Sequence, residues 1–96
     1  MPGNRVVRYS TRFKRDFRRE MFGRNAKILD TELSQVVRLL VVDKPLPSRR
    51  FDHSLSGDWQ DYRDCHVRPD LILIYRKPDD IHLDLVRLGS HSELGL

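Results

Sequence analysis

Apolar residues recur along this chain with two different periods, and the change from one to the other divides it. Arg5-Val-Val-Arg-Tyr9 is a short β-branched and aromatic run that predicts a first strand. Ser10 or Thr11 can then cap a helix, its hydroxyl accepting a hydrogen bond from a free amide of the first turn. Phe13, Phe17 and Met21 follow at spacings of four, forming one apolar stripe expected in the core. Gly23-Arg24-Asn25 breaks that pattern as a helix end does. Ile28, Leu29, Leu33, Val36, Val37, Leu40 and Val41 predict a second helix that must stop before Pro45.

Residues 45–58 have no clear period and read as a long loop. From Trp59 to Val67 the chain alternates, with Tyr62, Asp64 and His66 on one face and Arg63, Cys65 and Val67 on the other. Arg68-Pro69-Asp70 reads as a turn. Leu71-Ile-Leu-Ile-Tyr75 is continuously apolar, as a central strand buried on both faces is. Lys77-Pro-Asp-Asp80 reads as a second turn, and Ile81, Leu83 and Leu85 open a last strand running to about Gly89. No internal repeat interrupts this order. The sequence predicts one α+β domain over residues 1–96, in the order β-α-α-β-β-β. A helical hairpin packs on an antiparallel sheet, with the first strand at one edge.

Composition adds little except through charge. The net charge of +4 conceals an asymmetry. Residues 1–27 hold nine Lys/Arg against Asp16 and Glu20, whereas the rest hold nine against twelve acidic residues. The basic character belongs to the first quarter. Arg12, Lys14, Arg15, Arg18 and Arg19 thus read as either a solvated helix face or a footprint for a polyanion. One cysteine excludes an internal disulfide. No apolar run approaches the roughly 20 residues of a membrane span. Met1-Pro-Gly-Asn-Arg5 lacks the apolar stretch of a secretory leader, so the cytoplasm is the expected compartment and no membrane partner is expected.

Titratable groups crowd one stretch, Asp52 to Asp70, and its turn. If 68–70 closes one hairpin and 77–80 the next, His66 lies near Ile72 and Leu71 near Val86. His66, Asp70 and His91 then gather at one end of the sheet. The long loop permits His53 to return to that end without requiring it. Imidazole titrates near neutrality, so one ring can accept a proton while another donates one. RNA cleavage needs that pairing, with a cation to stabilise charge on the phosphorane; Arg63, Arg68 and Arg87 are the local candidates. A metal centre is the rival reading. No Cys-x-x-Cys, His-x-x-x-His or His-Glu-x-x-His spacing is present, and Cys65 points away from His66, so no metal is expected. Cys65 reads as core and His82 as a solvated strand residue.

Several segments carry a family resemblance. They are Asp52-His53-x-Leu55-x-Gly57-x-Trp59, Tyr62-Arg63-Asp64-x-His66-Val67-x-Pro69-Asp70, the Leu71–Tyr75 run, and Arg87-x-Gly89-Ser90-His91-Ser92-Glu93-Leu94. With the element order, they make the chain resemble the YafQ-type messenger RNA endonucleases of the RelE/ParE toxin superfamily. The resemblance implies a toxin of a type II toxin–antitoxin pair that enters the ribosomal A site and cuts mRNA without a metal or other cofactor. It implies catalytic roles for His53, His66, Asp70 and His91, supported by Asp64. Its implied partners are ribosomal RNA for the basic helix, an antitoxin wrapping the toxin, and operator DNA for the resulting complex. Two other readings stand beside it: a non-catalytic RNA- or DNA-binding module, and a gyrase inhibitor of the ParE type. In relatives an aromatic residue usually follows the leucine after the last histidine. Here that position is Gly95, and a missing stacked ring is worth about 1–3 kcal/mol.

Overall fold

Strand Leu71–Arg76 forms the centre of the molecule in a computed structural model that describes residues 4–96. Met1, Pro2 and Gly3, on which the expectation of no secretory leader partly rests, lie outside the described residues, as does the side chain of Ile28. The elements are β1 (Val6–Tyr9), α1 (Thr11–Met21), α2 (Ala26–Ile28), a π-helical turn (Leu29–Leu33) and α3 (Ser34–Val41). They continue as β2 (His53–Ser54), β3 (Arg63–Arg68), β4 (Leu71–Arg76), β5 (His82–Gly89) and α4 (His91–Leu94). The sheet order is β1-β5-β4-β3-β2. All pairs are antiparallel except β1 with β5, so the expected antiparallel meander acquires one parallel edge. A parallel pair needs a long crossover, which the intervening elements supply.

Ser10 caps α1: its Oγ accepts from the Phe13 amide at 2.9 Å and donates to the Val86 carbonyl at 2.7 Å. One hydroxyl thus starts the helix and docks it on β5. Phe13, Leu29, Leu33, Val36 and Leu40 bury their side chains against Cys65, Leu73, Leu83 and Leu85. Met21 departs from the expected core stripe, being 42% exposed. It lines an open groove of about 940 Å³ between α1 and the second helical segment, with Phe17, Phe22, Leu33 and Val37. Asp16 and Glu20 on α1 are buried instead.

The opposite face of the sheet carries a smaller cluster of Ile72, Ile74 and Leu94, flanked by Leu55, Trp59, Tyr62 and Val86. β3 starts four residues later than alternation predicts. Trp59 belongs to a 3₁₀ turn, Gly57–Trp59, entered at Gly57 with φ 63°, and its ring meets Tyr62 edge-on. The loop of 45–58 is also less irregular than expected, containing a second 3₁₀ turn, Ser48–Arg50, and β2. The β4–β5 register differs as well: Ile72 faces Gly89, not a residue near Val86. The connection runs from Arg76 to His82, longer than a tight turn, and a bulge at Ile74/Tyr75 adds one more residue. No helix among the described residues is long and apolar enough to cross a membrane.

Candidate active site

The strand ends and the β3–β4 turn meet on the sheet face that α1 and α3 leave uncovered. Residues paired across antiparallel strands project to the same side. His66 pairs with Ile72, Asp64 with Ile74, and His53 of β2 with Asp64, so all three polar side chains share the face of the smaller cluster. The long β5 carries the chain past Ile72 to Ser90, which opens α4 with a reciprocal capping box. Ser90 Oγ accepts from the Glu93 amide at 3.1 Å, and Glu93 Oε1 accepts from the Ser90 amide at 2.8 Å. This box fixes His91 at the first helical position, over the strand ends.

Asp70, in the β3–β4 turn, accepts from the His91 amide at 3.3 Å and lies 3.1 Å from its Nδ1. These bonds hold its carboxyl below the usual range. An ionised carboxylate only accepts, so Nδ1 carries the proton and Nε2 is left free to meet a substrate. The His91 ring stands 5.4 Å from that of His66, which lies on its other side 5.2 Å from Phe51. His53 Nδ1 is 2.8 Å from the Phe51 carbonyl and 3.1 Å from Asp64 Oδ1. A carbonyl can only accept, so that nitrogen's proton goes to Phe51 and the Nε2 lone pair faces outward.

Asp64 Oδ1 is consequently left without a hydrogen bond although His53 is near, and its side chain is buried. Burial pushes its carboxyl up, against the opposing pull of His53, His66 and His91. The site therefore combines three imidazoles, an ionised carboxylate and a buried carboxyl group whose pKa burial raises. Such a set can accept and donate protons at neutral pH.

A family model described as a bacterial toxin of type II toxin–antitoxin systems, YafQ, matches residues 5–95. The chain belongs to this family. It is 36% identical over 91 residues to the mRNA interferase toxin YafQ of Escherichia coli, covering 94% of this chain and 95% of the relative. Among solved structures, a copper-bound mutant toxin from Helicobacter pylori superposes with a TM-score of 0.82 at 36% identity, covering 96% of this chain and 99% of that one. The E. coli DinJ–YafQ toxin–antitoxin complex gives 0.80 at 34% identity, covering 96% and 98%.

The toxin's structure brings His53, Asp64, His66, Asp70 and His91 together. The arginines divide. Arg12, Lys14, Arg15 and Arg18 of α1 are exposed. Arg87 instead holds Asp16 at 2.7 and 3.3 Å, and Arg19 bonds Asp16 at 3.1 Å and the Leu88 carbonyl at 2.8 Å. Arg63 is held by Asp52 at 3.2 Å and Ser54 at 2.8 Å. Arg68 is exposed beside His66 and Phe51 in a cleft of about 320 Å³. Cys65 is fully buried, and burial pushes its thiol up, which leaves it unreactive.

Three neighbours escaped sequence reasoning. Asp52 lies within the quoted motif but was given no role; it ties the loop to β4 by accepting from Tyr75 Oη at 2.6 Å. Arg50 is buried and donates to the Val67 carbonyl at 2.7 Å. Phe51 sits between them and the histidines. Only the charge and aromaticity of Arg49-Arg50-Phe51 directly before Asp52-His53 could have flagged this segment.

Proposed function

We propose that this toxin is a ribosome-dependent mRNA endoribonuclease that cuts codons in the A site by acid–base catalysis, without a metal. The convergence of His66, His91 and Asp70 beside the His53–Asp64 pair carries the reading, and the mRNA interferase name of the E. coli relative supports it. One imidazole takes the proton of the 2′-hydroxyl, whose oxygen attacks the adjacent phosphorus. The bond from phosphorus to the 5′-oxygen breaks, and a second imidazole protonates that oxygen. The products are a 2′,3′-cyclic phosphate and a free 5′-hydroxyl.

His53, with its proton committed to Phe51 and its Nε2 open, suits the base. His91, with Nδ1 held by Asp70 and Nε2 open to the substrate, suits the acid. His66 lies against His91 and is placed to steady charge on the phosphorane. The cation for that charge is Arg68, because Arg63 and Arg87 are engaged within the protein. Arg12, Lys14, Arg15 and Arg18 serve as the ribosomal RNA contact. A cognate antitoxin neutralises the toxin, as DinJ pairs with the E. coli relative, and the complex binds its own operator DNA. The whole chain acts as one domain in the cytoplasm, where its ribosomal target is.

Primer extension on mRNA in a translating extract tests this. New ends within reading frames are expected from the wild type, and His66→Ala or His91→Ala should each lower cleavage roughly 10²–10⁴-fold. Wild-type cleavage by the double variant would sink the assignment. Cutting of naked RNA at the same rate would remove the ribosome from it, and binding without cutting would leave a non-catalytic module.

A further inference from the structure

We infer that Phe51 is a substrate-binding residue of this toxin, its ring forming the platform on which a nucleobase flanking the scissile phosphodiester stacks. The inference deepens the nuclease reading and rests on it. Of the exposed aromatic side chains among the described residues, Tyr9, Phe22 and Phe51, Phe51 alone packs against a histidine of the site. Phe51 is 63% exposed, and its ring stands 5.2 Å from that of His66, tilted by 58°.

The backbone there is costly for such a residue. Phe51 adopts φ 49° and ψ 45°, the left-handed region that bulky side chains rarely occupy. The neighbourhood holds it: its amide donates to the Ser48 carbonyl at 3.1 Å, and the buried Arg50 clamps the preceding turn to β3 through the Val67 carbonyl. This one conformation does two things. It turns the Phe51 carbonyl onto His53 Nδ1 and leaves the ring facing outward, at a cleft that Arg49, His66, Arg68 and Pro69 also line. An aromatic platform sharing a cleft with two exposed arginines and a histidine suits single-stranded nucleic acid, since every base offers a π-face and every linkage a phosphate. The end of α4 offers no competing ring, since Gly95 has φ 72° and open space around its α-carbon.

The test is cleavage kinetics on programmed ribosomes whose A-site codon is varied between purines and pyrimidines, using the full chain. Phe51→Leu keeps the bulk without the π-face. Phe51→Asn relieves the left-handed strain, and Phe51→Trp enlarges the platform. The Leu and Asn variants should raise KM about tenfold with kcat within about threefold, and should flatten any purine preference, while Trp restores both. Thermal unfolding should show the Asn variant no less stable than wild type. If Phe51→Leu retains wild-type KM and codon preference, the stacking role is overturned. The same holds if all three variants lose kcat at unchanged KM, which would make Phe51 a positioning residue for His53. Absence of cleavage by the wild type would instead overturn the nuclease reading and this inference with it.

Discussion

Asp64 couples the candidate site to stability at the scale of a single residue. Its folded pKa lies above the ordinary 3.8 because burial disfavours the charged form. Folding therefore favours proton uptake in the window just above 3.8, and stability falls as pH rises through the folded value. Asp64→Asn carries no charge to desolvate. It should unfold at a higher temperature than wild type at pH 7 and match it near pH ~3, where both side chains are neutral. Differential scanning fluorimetry at the two pH values reads this directly, and cleavage should fall even as stability rises. Much of this residue-level picture was legible: alternation put Asp64 and His66 on one face, and the turn brought Asp70 beside them. The burial of Asp16 and Glu20 was not. A charge in an amphipathic helix reads as solvated, and nothing local shows that Arg87 of a distant strand will reach it.

That contact dominates at the scale of elements. Asp16 joins α1 to β5 by accepting from Arg87 Nε at 2.7 Å and from the Leu88 amide at 2.9 Å. Burial pushes its carboxyl up, but these bonds and the nearby Arg19 more than offset it, and the group stays below its ordinary value. Asp16→Asn leaves a largely buried Arg87 without its anion and should cost about 3 kcal/mol in urea denaturation. The outer face of the same helix carries the proposed ribosomal RNA contact. Arg12→Ala with Arg15→Ala should leave stability nearly unchanged but weaken ribosome association, lowering the salt slope of binding by about 1 per residue removed. An unaltered salt slope would take α1 off the RNA interface. Here too the sequence supplied the elements more faithfully than their relations. At Ile72 the β4–β5 pairing lies four residues beyond the expected one, because the connection after Arg76 is longer than its proline-bearing sequence suggests and the bulge at Ile74/Tyr75, which has no local signature, adds a residue.

Across the whole molecule, Asp43 binds parts that are far apart in sequence. It accepts from Arg5 Nε and from Lys77 Nζ, each at 2.7 Å, joining the approach to β1, the end of α3 and the β4–β5 connection. Those two hydrogen bonds lower its carboxyl to about 2. A lowered folded pKa contributes stability above 3.8 that is lost as pH falls through about 2. Asn also tolerates the left-handed φ of 58° found at this position, so Asp43→Asn isolates the charge. The variant should be less stable than wild type at pH ~5, and the difference should shrink steadily as pH falls toward ~2, as followed by chemical denaturation.

The sequence by itself determined the main helices and strands, their order, the α+β class and the family, but not β2 or α4. Those depend on local periodicity, turn chemistry and motif spacing, all carried by residues near one another in the chain. It also named the five polar residues of the candidate site. Only the tertiary structure decided how they meet. The bulge and the longer connection set where β5 ends, the capping box set where His91 points, and pairing with β2 placed His53 against Asp64. It alone showed which arginines are occupied and that Phe51 stands at the histidines, because hydrogen-bond partners and exposure are set by residues distant in sequence. The chain has no ring at Gly95, and its exposed ring beside the histidines is Phe51, in the loop before His53.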